Sequence, residues 1–173
     1  MKRLVLLLVA LTTPGTAFAQ SDEVYTNTML KGMKTAIIFY TEKDTPKCPF
    51  ERGIEKKAAF AIGTLKSYGL DFMALSPNSP PPDASILLML ESSDSRVERD
   101  ETLCNMFVKF EVFHQMPGEL RYSGATPILR VMAYRTFHVG SATPNRLSDA
   151  IQNTALKALT DFAGAYAAAN PGR

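Results

Sequence analysis

The sequence contains few of the residues that most often carry metal-binding or nucleophilic chemistry. It has two cysteines, two histidines and no tryptophan. No C-x-x-C pair occurs, and the histidines do not lie at the spacing of a zinc site. The sequence also has no G-x-S-x-G motif and no phosphate-binding glycine loop. An enzymatic site would therefore have to be assembled from separate loops, and no cofactor is predicted.

The chain also lacks an excess of charge of either sign. It has 19 Lys and Arg against 17 Asp and Glu, and Lys2 and Arg3 lie within the first 19 residues, so residues 20–173 carry 17 of each. No Lys/Arg cluster occurs, whereas nucleic-acid-binding proteins usually present one. The sequence therefore gives no support to a nucleic-acid partner.

No apolar run is long enough to cross a bilayer, which requires about 20 residues. The N-terminus instead has the basic pair Lys2-Arg3, a short apolar run and the small-x-small sequence Ala17-Phe18-Ala19. This pattern is typical of a secretory signal peptide. We predict that residues 1–19 are removed after Ala19 and that residues 20–173 form one exported domain without a membrane span. The alternative is that the N-terminus is retained as an anchor.

The two cysteines of an exported chain favour a disulfide bond. Because there are only two, the bond would join Cys48 to Cys104. Closing a loop of this length contributes about 4 kcal/mol in the chain-entropy model. The alternative is a pair of free thiols in a redox or metal role.

The stretch from Leu103 to His114 has the clearest secondary-structure pattern in the chain. Its apolar and polar residues alternate with period two, which is typical of a half-buried strand. One face carries Cys104, Met106, Val108, Phe110 and Val112, and the other carries Asn105, Phe107, Lys109, Glu111 and Phe113.

The remaining patterns predict a two-layer α+β sandwich. We expect a mostly antiparallel sheet of about four strands with two helices packed on one face, in the order β-α-β-β-β-α. The predicted strands are 35–41, 85–90, 103–114 and 127–140, with a further short strand in 70–75, and the predicted helices are 49–69 and 143–170. In 127–140 we assign Leu129, Val131, Ala133, Phe137 and Val139 to one face, and Arg130, Met132, Tyr134, Thr136 and His138 to the other.

Three of these features resemble a group of small exported proteobacterial proteins of unknown function. They are a cysteine just before the first helix, Leu103-Cys104 opening a central strand, and a last helix that reads TDFAGAYAAANP. The resemblance covers most of residues 20–173 and implies a periplasmic setting in a Gram-negative cell and a structural Cys48–Cys104 pair. It brings no activity. The element order is also similar to that of accessory domains of the TolB N-terminal type, which implies an envelope partner.

Two candidate functional sites follow from the predicted sheet. His114 and His138 lie near the ends of neighbouring strands, where they could approach each other and bind a metal with Glu111 as a third ligand. The alternative is two solvated histidines at strand ends.

The second candidate is the sheet face that the helices leave uncovered. It would carry Phe107, Lys109, Phe113, Arg130, Met132 and Tyr134, and a half-apolar exposed face is typical of an interaction surface. An ordinary strand exterior is the alternative. We therefore expect a non-enzymatic periplasmic binding or accessory domain, with an unknown envelope protein or small ligand as its partner. The alternatives are a small enzyme or metal-binding protein that uses His114 and His138, and a homodimeric structural protein of the envelope.

Overall fold

The computed structural model describes residues 28–74, 80–94, 103–117 and 128–171. The predicted signal peptide, residues 1–19, lies outside these ranges. A helical turn at 28–30 precedes the first strand. The elements that follow are β1 (Thr35–Lys43), α1 (Ile54–Lys57), α2 (Ala59–Ser67), β2 (Asp71–Phe72), β3 (Ala84–Asp94), β4 (Cys104–Pro117), β5 (Ile128–Ala142) and α3 (Pro144–Ala169).

The strands form one open, mixed sheet in the order β2-β1-β3-β4-β5. Strand β1 is parallel to both of its neighbours, β2 and β3, whereas the β3–β4 and β4–β5 pairs are antiparallel. The α+β class is therefore confirmed, but the prediction of four mostly antiparallel strands matches only roughly. The helical crossover after β1 returns the chain in the same direction into β2, so the β1–β2 pair is parallel. Strand β3 then pairs in the same direction with the other side of β1.

The predicted first helix is shorter than expected and is divided in two. It begins at Ile54 rather than at residue 49, and α1 and α2 are separated at Ala58. The preceding Gly53 has φ +98°, a left-handed conformation that glycine adopts without steric cost. The Glu42 carboxylate at the end of β1 accepts the backbone N–H of Gly53 at 3.0 Å and that of Ile54 at 2.9 Å. A side chain from the sheet thus satisfies the first N–H groups of the helix.

Both longer helices pack on one side of the sheet. Val108, Phe110 and Val112 are fully buried there in a core that also contains Leu65 of α2 and Phe162 of α3. The predicted faces of β4 and the predicted two-layer arrangement are thereby confirmed. None of the helices in the described ranges combines the length and the apolar character needed to cross a bilayer.

The C-terminal end of α3 is attached to the segment that precedes β1. The Tyr166 hydroxyl donates to the carbonyl of Met33. The Asn170 side chain donates to the Leu30 carbonyl at 3.1 Å and accepts the N–H of Gly32 at 2.9 Å. These contacts join residues that are more than 130 positions apart in the sequence, so the end of the chain stabilises its beginning.

The predicted disulfide bond is confirmed. Cys48 and Cys104 are bonded with a Cα–Cα distance of 5.6 Å, and neither side chain is exposed. The bond joins the loop after β1 to the first residue of β4, at one edge of the helix–sheet interface. The Ser92 hydroxyl donates to the carbonyl of Cys48 and connects the same loop to β3.

Asp83 joins the ends of three strands. Its carboxylate accepts the N–H groups of Lys34 at 2.8 Å and Thr35 at 3.0 Å, and its carbonyl accepts the N–H of Gln115 at 2.7 Å. Burial raises the pKa of the Asp83 carboxyl, but these N–H groups, the Thr35 hydroxyl and the nearby His114 together lower it further than burial raises it. The net pKa therefore lies below its ordinary value.

We predict that the double substitution Cys48→Ala/Cys104→Ala lowers the free energy of unfolding by about 4 kcal/mol, because the bond closes a long loop. Urea unfolding of the oxidised parent and of the variant measures this difference. Reductant should destabilise the parent and leave the variant unchanged. Equal stabilities of parent and variant would contradict the prediction.

We predict that Asp83→Asn lowers the free energy of unfolding at neutral pH by about 1–3 kcal/mol, because the ionised carboxylate is the stronger acceptor. A carboxyl whose folded-state pKa is depressed stabilises the protein above its ordinary pKa of about 3.9, and this stabilisation is lost as the pH falls through the lower folded pKa. The difference in the free energy of unfolding between the variant and the parent should therefore become smaller in acid. Urea unfolding across the pH range tests this, with the exposed Asp149→Asn as the control. A gap that does not change with pH would show that ionisation of Asp83 is not the cause.

Candidate interaction surface on the open face of the sheet

The side of the sheet that faces away from α2 and α3 is called the open face below. Alternate residues of β4 and β5 point to it, as the strand register and the burial pattern show. On these two strands it carries Asn105, Phe107, Lys109, Glu111, Phe113, Gln115, Arg130, Met132, Arg135, Phe137, Val139 and Ser141. The structure thus brings together five of the predicted surface residues, namely Phe107, Lys109, Phe113, Arg130 and Met132.

The assignment of Tyr134 to the open face is wrong. The register shifts between Val112 and Phe113, so that Tyr134 pairs with Val112 and Ala133 is the extra residue of a bulge. The Tyr134 ring lies 6.0 Å from that of Phe110 and 5.3 Å from that of Phe162, on the helix side of the sheet. A bulge reverses the alternation beyond it, because the side-chain period of a strand is two residues.

The same bulge places Phe137 and Val139 on the open face, whereas a regular alternation along β5 predicts the opposite face for both. Their fractional exposures are 48% and 66%. The Phe107 and Phe137 rings meet edge to face with centroids 4.6 Å apart. With a bulge at Ala133, the alternation along β5 predicts that Phe137 and Val139 lie on the same face as Phe107. No signal in the sequence marks the bulge.

A three-residue ion cluster lies beside this aromatic pair. The Glu111 carboxylate contacts Lys109 Nζ at 2.9 Å and Arg135 Nε at 3.4 Å. Glu111 is only 4% exposed, whereas the Arg135 side chain is 52% exposed. The negative charge is therefore covered and paired within the sheet, and part of the guanidinium remains in contact with solvent.

A shallow cavity of about 400 Å³ adjoins the aromatic pair. It is lined by Glu91, Ser92, Ser93, Asn105, Met106, Phe107 and Val139. Its lining combines apolar side chains with hydroxyl, amide and carboxylate groups. The open face thus offers apolar contact, hydrogen bonding and a cationic group next to one another.

The two histidines do not approach each other. His138 pairs with Val108, and His114 lies six residues further along β4, which corresponds to about 20 Å at the rise of a strand. Both point to the helix side, away from Glu111. Both histidines are partly exposed, but His114 Nδ1 and His138 Nε2 are buried, each without a hydrogen-bond partner in the described ranges. Within those ranges no three His, Cys, Asp or Glu residues are grouped as metal ligands.

Comparisons with known proteins identify no family. No protein-family model matches the chain. No curated protein matches it either.

Several solved structures show a weak likeness. A hypothetical protein from Chlamydia trachomatis aligns with a TM-score of 0.41 and 9% identity over 79% of this chain and 99% of that one. The PelC dodecamer from Paraburkholderia phytofirmans aligns with a TM-score of 0.35 and 13% identity over 79% of this chain and 90% of that one. A minor lipoprotein from Acinetobacter baumannii aligns with a TM-score of 0.30 and 13% identity over 79% of this chain and 93% of that one. These low scores carry no functional argument, and the resemblance to exported proteobacterial proteins stays a prediction.

We predict that Glu111→Gln lowers the free energy of unfolding by about 2 kcal/mol, because it replaces the buried carboxylate that both Lys109 and Arg135 contact. Chemical denaturation at neutral pH measures the change. The control is Glu91→Gln, the same acid-to-amide change at a residue of β3 on the open face. It should alter the free energy of unfolding by about 0.5 kcal/mol or less. Equal effects of the two substitutions would show that the ion cluster does not stabilise the sheet.

Proposed function

We propose that this protein is a non-enzymatic binding or accessory protein of the periplasm that acts by contact on its open face. The observation that carries the proposal is the aromatic pair of Phe107 and Phe137 beside the exposed Val139, on the side of the sheet opposite the helices. Single exposed apolar residues are ordinary on protein surfaces, but adjacent ones mark contact surfaces more often.

The composition of the open face supports contact with another molecule. Aromatic residues, methionine and arginine are enriched in protein interfaces, and Phe137, Met132 and Arg135 all lie on this face. The central charge is already paired, since Glu111 contacts both Lys109 and Arg135. A partner can therefore cover the cluster without leaving Glu111 buried and unpaired, which is the costly outcome for an ion pair at an interface.

The other two predicted functions are a site that uses both histidines and a homodimer. A metal or catalytic site that uses His114 and His138 together has no geometric support, since about 20 Å separates them along the strands. A homodimer paired through the open face is tested by the same substitution, whereas one paired through an edge strand would persist in that variant.

We predict that Phe137→Glu abolishes partner capture or self-association without unfolding the protein, because the new carboxylate would be desolvated in any contact with the aromatic pair. The measurements are affinity capture from an envelope extract, light scattering for oligomeric state, and circular dichroism with a thermal melt for folding.

The matched control is Phe60→Glu. Phe60 lies on α2, on the opposite layer, and its exposure of 85% makes the same substitution equally harmless to the core. The proposal requires that Phe60→Glu behaves like the parent while Phe137→Glu does not. If the parent, Phe137→Glu and Phe60→Glu behave identically in capture and in light scattering, contact on the open face is contradicted.

A further inference from the structure

We infer that the open face binds an acidic, extended polypeptide segment of a partner protein, in which a carboxylate side chain is followed along one side by two apolar side chains. This inference rests on the proposed function and adds the chemical class of the partner. The features that carry it are the sign of the exposed charge on β5, the position of Arg135, and the spacing of the residues beside it.

The exposed charge on the outward side of β5 is basic. Arg130 and Arg135 both point to the open face, and this strand contributes no acidic residue to it. The neighbouring strands do not reverse this sign: Glu111 is buried and paired, and Glu91 lies opposite Lys43 in the register of β3 with β1. An acidic partner therefore complements the face, because opposite charges across an interface steer association and suppress partners of the wrong sign.

Arg135 is held in a position suited to a carboxylate. Its Nε contacts Glu111 at 3.4 Å, and its two terminal nitrogens have no other partner in the described part of the chain. A guanidinium that is fixed at one edge loses less freedom when its other edge binds, and its planar donors match a carboxylate in a bidentate arrangement. The buried Glu111 thus acts as a positioning residue for Arg135.

The spacing along β5 fits an extended segment. Beyond the bulge, Arg135, Phe137 and Val139 follow one another at every second residue on the same side, about 7 Å apart. An extended partner has the same spacing between its own alternate side chains. A carboxylate opposite Arg135 would therefore place the next two outward side chains of the partner over Phe137 and Val139, which requires them to be apolar.

A second copy of this chain fits the surface less well. Two open faces in contact would bring the arginines of one copy against a surface of the same sign, and like charges across an interface are unfavourable. On β4 and β5, the open face carries no exposed, unpaired acidic group that could pair with Arg130 or Arg135 of a second copy. Self-association is therefore kept as an outcome that the experiment distinguishes.

The test uses the full chain and fluorescent synthetic peptides of about nine residues, with outward positions spaced as in a strand. In the first peptide, glutamate and then two leucines occupy three successive outward positions, with serine at the positions between them. A second peptide carries lysine in place of glutamate, and a third carries serine in place of leucine. Fluorescence anisotropy should show that the glutamate–leucine peptide binds at least about tenfold more tightly than either of the others, and that added salt weakens it.

The variants test where the charge acts. Arg135→Gln should remove most of the preference for glutamate over lysine. Arg146→Gln removes the same charge from an exposed arginine at the start of α3 and should leave the preference unchanged. Phe137→Glu should abolish binding of the glutamate–leucine peptide, and Phe60→Glu should not.

Five results would overturn the inference, and they separate it from the proposed function. Equal binding of the acidic and basic peptides, or equal effects of Arg135→Gln and Arg146→Gln, removes the acidic partner but leaves contact on the open face if Phe137→Glu still abolishes binding. Self-association that Phe137→Glu abolishes, without peptide binding, assigns the face to a second copy. Binding to phosphatidylglycerol vesicles that depends on Arg135, without peptide binding, assigns it to a lipid surface. No binding of peptides or vesicles, together with no effect of Phe137→Glu on capture or association, removes both proposals.

Discussion

The packing of α3 against one side of β4 is the constraint on which the rest of the structure depends. The Phe162 ring lies 5.3 Å from both Phe110 and Tyr134, and all three side chains lie in or against the core between α3 and the sheet. This contact decides which side of every strand becomes core, because neighbouring strands must present the same face. The disulfide bond at one edge of the interface, and the attachment of Tyr166 and Asn170 to the segment before β1, hold the same arrangement at its two ends.

The open face is a direct consequence of this one-sided packing. A strand that buries alternate residues must present the others elsewhere, and β4 presents Phe107, Lys109 and Glu111 on the side without helices. The aromatic side chains contact each other, and a carboxylate is buried between two cations without any helix above it. The open face therefore combines internal charge compensation, exposed apolar groups and a half-exposed guanidinium in contact with Glu111.

Much of the architecture was predictable because it depends on local pattern. The alternation in β4 gave the correct faces, the apolar stripe and Pro144 placed the last helix, and two cysteines allowed only one intramolecular bond. The errors arose where contacts between distant segments decide the outcome. The parallel pairings of β1 depend on the path of the chain between the strands, and the start of the first helix at Ile54 depends on Glu42 of β1, which accepts the Ile54 N–H group. The separation of His114 and His138 depends on the register between β4 and β5.

The sequence by itself determined that this protein is an α+β sandwich with one disulfide bond and an amphipathic central strand, because hydrophobic periodicity and cysteine number are properties of the chain alone. Only the tertiary structure decided which residues of β5 beyond the bulge lie on the open face. The bulge at Ala133 exchanges the two faces of β5, so that Tyr134 enters the core while Arg135, Phe137 and Val139 turn outward. A bulge is a property of two paired strands rather than of one, and its position is set by how both strands fit the helix layer, which no single segment encodes.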